Sequence, residues 1–308
     1  MEVARVATKT KSNLRLGGLI IPFLFAAVLI FGYYLYWSKL ARQIEAQVTT
    51  AIPAGSASAI DVTGFPYRLT LEIKDLKVRA QSGLTLSASS VVATATPFNP
   101  LLWVLEGAEK PVLALPGGPA QPIKAVNLKA SLRLHRKGIE RASLTFDGLE
   151  ASGTESWGVG KGLFHVMTRF EDDDSFAMVI DLSDIRLTRD LEGPGAILGQ
   201  TIRHFFVSGP INKRQELLQS ATAWRDAGGK LVIMAGEIVW GPVYLSQAKG
   251  ELSLSPTHKW QGQMAGTGAL RPEGATVPGL SGPINLQIRD NELFLTGLPG
   301  IKLFGASR

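Results

Sequence analysis

The chain contains no cysteine. That excludes disulfides, thiol nucleophiles and thiolate metal sites, and it leaves any exported part to be held by burial alone, or by a lipid in place of part of a core. Histidine is nearly as scarce. His135, His165, His204 and His258 are scattered, with no pair spaced to share a helix face, and His135 and His165 lie in strand patterns and read as ordinary strand residues. No G-x-S-x-G elbow occurs, because Gly279-Leu280-Ser281-Gly282 has the wrong spacing. Gly158-Val159-Gly160-Lys161-Gly162 resembles a phosphate loop only superficially. Such a loop needs Gly at the position of Glu155 and Ser or Thr at that of Gly162, so the segment reads as a flexible turn. The acidic run Glu171-Asp172-Asp173-Asp174 falls between Phe170 and a strand pattern starting at Phe176, where a solvated hairpin turn is expected rather than a metal site. No catalytic residue, metal site or cofactor is expected, and the chain reads as a non-enzyme.

Charge is missing altogether between Arg15 and Lys39. The 23 residues 16–38 would form a helix of about 35 Å, enough to cross a hydrocarbon core of ~30 Å. Tyr33, Tyr34, Tyr36 and Trp37 close it with rings that favour the headgroup level. Upstream, Arg5, Lys9, Lys11 and Arg15 oppose a single Glu2, a bias that holds the N-terminus in the cytoplasm. The alternative is a cleaved secretory signal, but the run is too long and Ser38-Lys39-Leu40-Ala41-Arg42-Gln43 is a poor cleavage site. The expected layout is a cytoplasmic tail 1–15, a transmembrane signal anchor 16–38, a juxtamembrane helix and linker 39–55, and an exported β-rich domain 56–308. The pI of 9.5 is topological. Of the 32 basic residues, six lie in the first 42 positions, and beyond them 26 basic face 25 acidic residues, so no nucleic-acid footprint remains.

Leu40, Ile44 and Val48 are spaced by four, one face of a short helix that Pro53 and Gly55 end. From Ile60 the period becomes two. Tyr67-Leu69-Leu71-Ile73 alternates with polar residues, and the pattern returns at Val126–Leu134, Ala142–Phe146, Phe176–Leu182 and several later runs. With Gly and Pro mostly between these runs, the fold class is mainly β: a long antiparallel meander, curled or sandwiched. One internal helix is predicted over 212–227, with Asn212 as cap, Gln215 as its capping-box partner and Gly228-Gly229 as its end. Leu101–Leu105 reads as a shorter helical or loop element. Leu71-Glu72-Ile73-Lys74-Asp75-Leu76-Lys77-Val78 matches Ile180-Asp181-Leu182-Ser183-Asp184-Ile185-Arg186-Leu187. In both, alternation changes register at an Asp, which predicts bulges at Asp75 and Asp184. This repeat suggests two halves, 58–165 and 166–300, with chance similarity between amphipathic strands as the alternative.

Two motif groups stand out. Thr63-Gly64-Phe65-Pro66-Tyr67-Arg68-Leu69 reads as a strand-entry turn with Phe65 tucked inward. Trp224 with Gly228 and Gly229 would pack the helix on the sheet, Trp240-Gly241-Pro242 would bend the chain between strands, and Gly250 follows in Ala248-Lys249-Gly250-Glu251-Leu252. These segments together resemble the proteobacterial domain of unknown function 2125 family. The resemblance implies an inner-membrane protein with its domain in the periplasm and supplies no catalytic residues. An anchor feeding long strands is also similar in architecture to AsmA-like envelope proteins implicated in lipid traffic.

Strands with one apolar face must bury it, and one helix of about sixteen residues cannot cover some ten strands. The sheet therefore either closes as a sandwich, giving an anchored structural or protein-interaction module, or forms an open groove completed by lipid. The expected partners are the membrane, crossed once, and lipid or other envelope proteins.

Overall fold

A computed structural model describes residues 14–79, 84–114, 119–153, 156–168, 170, 174–186, 198–270, 280–289 and 292–296. Helix α1 (Leu14–Ala51) has 38 residues, about 57 Å of unbroken helix that runs through Pro22. Ile21–Ala51 is long and apolar enough to cross a membrane. Span and juxtamembrane helix are thus one element. Its side chains from Ile21 to Phe31 are largely exposed, whereas Trp37, Ala41 and Ile44 are buried against the sheet. Trp37 therefore belongs to the domain core, not to a headgroup belt.

The first strands are β1 (Ala59–Thr63), β2 (Leu69–Arg79), β3 (Thr85–Thr96), β4 (Asn99–Glu109) and β5 (Val112–Ala114). Then come β6 (Ala120–His135), β7 (Gly138–Ala151), β8 (Trp157–Thr168), β9 (Ser175–Arg186) and β10 (Thr201–Asn212). Helices α2 (Arg214–Gln219) and α3 (Ala221–Asp226) follow. The chain returns to the sheet in β11 (Leu231–Ile233), β12 (Ala235–Trp240), β13 (Val243–Leu254), β14 (Trp260–Leu270), β15 (Leu280–Arg289) and β16 (Glu292–Thr296). These sixteen strands of the described residues form one antiparallel sheet in which neighbours in space are neighbours in sequence. β4 and β5 share one position between β3 and β6, interrupted at Lys110, and β11 and β12 share another between β10 and β13. The ladder runs without a break from β8 to β9. α1 lies beside the β1 edge, where the Glu45 carboxylate accepts the Val62 N–H at 2.9 Å and so satisfies an unpaired edge donor.

The register change read at Asp75 and Asp184 is real, but neither is a bulge. Both adopt left-handed φ, 50° and 54°, while the pairing of β2 with β3 and of β8 with β9 stays in register through them. A single left-handed residue absorbs the change of parity without an inserted residue. Leu69 and Leu71 are buried before Asp75, and Leu76 and Val78 are more covered than Lys77 and Arg79 after it. True register shifts occur elsewhere, around Asn127 on β6 and Gln247 on β13.

Three other expectations are corrected. Residues 158–162 are not a flexible turn but the start of β8, paired on both sides. Their glycines make room for neighbours: a Cβ on Gly160 would stand 2.9 Å from the Asp184 Cβ, and one on Gly162 only 2.1 Å from the Phe146 ring. Leu101–Leu105 lies in β4, where Trp103 points into the core. The internal helix comes in two pieces. Ser220 is extended, and its Oγ accepts the Ala223 N–H at 2.9 Å, capping α3 and ending α2. Asn212 closes β10 instead of capping, and its Oδ1 accepts the Lys230 N–H at 2.6 Å. Of the acidic run, Glu171–Asp173 and with them most of that turn lie outside the described residues.

Because the Phe146 ring occupies the space a side chain at 162 would need, Gly162→Val is expected to destabilise the fold by about 1–3 kcal/mol. A denaturation midpoint measures this, and Phe146→Ala in the same chain should recover part of the loss.

Candidate functional site: an apolar trough beneath the N-terminal helix

The upper half of α1 stands over the sheet face but does not fill it. Between them lies a cavity of about 770 Å³. One wall is helical, from Leu40 through Ile44 and Val48 to Ala51, a face that the spacing of four already marked. The other is built from six successive strand positions, with Leu71 on β2, Ala93 on β3, Trp103 and Leu105 on β4, Leu132 and Leu134 on β6, Leu144 on β7, and Phe164 and Val166 on β8. Strands lie ~4.8 Å apart, so these six positions span about 24 Å across the sheet. Gln43, Gln47, Ser131 and Ser143 are the polar members of the lining. Leu132, Leu134, Leu144 and Val166 are only half-buried, although each points to the side that the helix covers.

Below the trough, a clamp ties the helix to two hairpin tips. Tyr33 donates to the Pro66 carbonyl, Tyr36 to the Pro97 carbonyl at 3.0 Å, and the Trp37 indole to the Arg68 carbonyl at 3.1 Å. The Phe65 ring meets Tyr34 and Trp37 edge-on at 5.4 and 5.7 Å, and Tyr33 stacks on Phe98 at 6.1 Å. Phe65 thus packs on the helix rather than into the sheet. Gly64 has φ +102°, and a Cβ there would fall 2.8 Å from the Arg68 side chain, so the turn admits only glycine. The Arg68 guanidinium is 3.9 Å from Glu106.

The second motif group sits elsewhere, around the cluster formed by β10–β15. Trp224 is 2 % exposed, donates to the Asn212 carbonyl at 2.7 Å, and covers Gly229, where a Cβ would meet its ring at 2.4 Å. Gly228 turns the chain with φ +72°. Trp240 donates to the Gly199 carbonyl at 3.1 Å. Gly241 has φ +52° against Leu198, and Gly250 lets β13 approach the Gln263 carbonyl closely. A smaller cavity of about 240 Å³ lies here, lined by Met178, Ile180, Phe205, Ile233, Leu245 and other apolar residues.

The histidines do not converge. His135 stacks on Phe170, His165 Nδ1 is 2.6 Å from Ser143, His204 bridges Asp181 and Glu237, and His258 meets Thr222. Ser143 with His165 is the one pair that could suggest a nucleophile and base. A working pair needs a third group to orient the base, and among the described residues His165 has no second hydrogen bond. No group of three metal-ligating side chains occurs among the described residues.

The sequence profile of a bacterial family described as "Uncharacterized protein conserved in bacteria (DUF2125)" matches residues 37–275. The chain belongs to this family. The matched segment begins at Trp37, the first α1 residue buried against the sheet, and takes in every strand of the trough. No curated protein and no solved structure matches the chain. Sequence reasoning picked out the Gly64–Arg68 turn but missed Trp103, Phe164 and the Phe98 tip. Trp103 sits in an unbroken apolar run and Phe164 follows a glycine-rich segment, so neither showed an alternation to read.

Trp37 is 8 % exposed and hydrogen-bonded, whereas Tyr34 keeps 48 % of its surface. Trp37→Ala should therefore cost about 3–5 kcal/mol and Tyr34→Ala far less, as separate melting curves of the two variants would report.

Proposed function

We propose that this protein is a non-enzymatic, single-pass envelope protein of the inner membrane that binds lipid acyl chains in the trough beside its anchor, and so helps lipid move. The observation that carries this reading is the trough: about 770 Å³, nearly all apolar, beneath a helix apolar enough to enter a bilayer. Ligand cavities of ~300–1,000 Å³ are the usual size for small apolar ligands. Each methylene removed from water contributes about 0.8 kcal/mol, so a partly inserted chain is held well without any charged partner. The positive residues upstream of the span support a cytoplasmic N-terminus and a periplasmic domain. The scattered histidines, each with its own separate partner, support a role without catalysis.

Topology is read by a reporter active only after export and fused behind Arg308. It should be active, and a fusion active only in the cytoplasm contradicts the localisation. Lipid binding is read by phospholipid carrying a photoactivatable group on its acyl chain, incorporated with the full-length protein into vesicles. Crosslinks should map by mass spectrometry to β6–β8 as well as to α1, and Leu132→Asp should reduce those on the sheet. Crosslinks confined to α1 residues below Trp37 would favour an anchored interaction module with no lipid in the trough.

A further inference from the structure

The clamp fixes how high the domain rides above the membrane. From Arg15, the last charged residue before the span, to Tyr36 the helix rises about 31 Å, the thickness of a hydrocarbon core. The edge of that core therefore falls at Tyr33–Tyr36, the residues whose hydroxyls hold the Pro66 and Pro97 carbonyls. Two hairpin tips are thereby tied to the level of the interface. Both present rings outward there: Tyr67 is 83 % and Phe98 81 % exposed, the two most exposed large apolar side chains among the described residues. A third tip lies at the same end, because Leu102 on β4 stands opposite Arg133 on β6 and the β6–β7 turn comes just below. It carries Arg136 and Lys137, both exposed, while Lys39 and Arg42 extend from α1 a turn or so above the clamp. Aromatic rings at the headgroup boundary with cations just outside is the chemistry of a phospholipid surface, not of water.

We propose that these three tips rest on the outer surface of the bilayer, with Tyr67 and Phe98 among the headgroups and Arg136 and Lys137 at the phosphates. The lower mouth of the trough, marked by Leu40, Leu101 and Leu134, then opens directly onto the leaflet. An acyl chain enters it without crossing water. The proposal rests on α1 as a membrane anchor, but not on lipid occupying the trough.

The absence of cysteine makes the test clean, since a single introduced thiol is the only one to label. Full-length Tyr67→Cys, Phe98→Cys, Arg136→Cys and Ser156→Cys are spin-labelled and reconstituted in vesicles of phosphatidylethanolamine and phosphatidylglycerol. Ser156 is exposed at the far end of the strands, where β7, roughly 45 Å long, hands over to β8. Labels at 67 and 98 should show a several-fold higher ratio of oxygen to water-soluble nickel-chelate accessibility than the label at 156, with 136 intermediate. Phe98→Asp in the Tyr67→Cys chain should lower the ratio at 67. Labels at 67 and 98 as water-exposed as the one at 156, in protein that floats with the vesicles, overturn the docking while leaving lipid binding untouched. Protein that fails to float overturns the anchor and the docking together.

Discussion

Trp37, Ala41 and Ile44 project from one face of α1 onto Leu69, Leu71 and Trp103, and they do so on a helix with no break between its exposed apolar half and its packed half. A continuous helix transmits orientation as well as position. The sheet is therefore not hung from a flexible tether, where a linker would let it sample many tilts. It is held by a buried tryptophan, three side-chain hydrogen bonds to hairpin carbonyls, and a carboxylate on the edge strand. Removing that packing would expose the β1 edge and leave the trough without its roof.

Much of this was legible in the sequence. A period of four at Leu40, Ile44 and Val48 marks the helical wall, and a period of two marks β2, β6, β7 and β9. What escaped falls into two physical kinds. β3 is rich in serine and alanine, and the first half of β8 carries glycine at every second position, so both leave little contrast between faces. Their partners supply the bulk: the Phe146 ring lies over Gly162 and Asp184 over Gly160. Such a strand can be recognised only once its neighbours are known. The second kind is local competition for backbone donors. Ser220 takes the Ala223 N–H with its own side chain, and a helix that looks continuous by periodicity divides there.

The repeat between β2 and β9 shows how a pattern can be read correctly and its mechanism misjudged. A change of parity within an amphipathic strand requires a local device, and a bulge is the common one. Here a left-handed aspartate does the work without adding a residue. Asp75 stands across from Ser89 and Ser89 across from left-handed Lys110; Gly148, also left-handed, stands across from Gly160 and so from Asp184. Because adjacent strands change parity in the same rows, the ladder keeps its register. Bulges would have had to be placed strand by strand to achieve the same result.

The two cavities differ in volume for a reason that topology does not supply, since both lie against the same meander. The smaller one is lined by side chains that are all large or branched, among them Met264, Trp240, Ile233 and Leu245, and these close most of the space. The larger includes Ala93, Ala130, Ser131, Ala142 and Ser143 in its lining. Leucine or phenylalanine at those alanines would close much of the gap between sheet and α1, and a chain without disulfides would gain from that burial. The small residues forgo the gain and keep the space. Under the function proposed above, the acyl chain of a lipid supplies the contacts that the half-buried leucines around that space leave unmade.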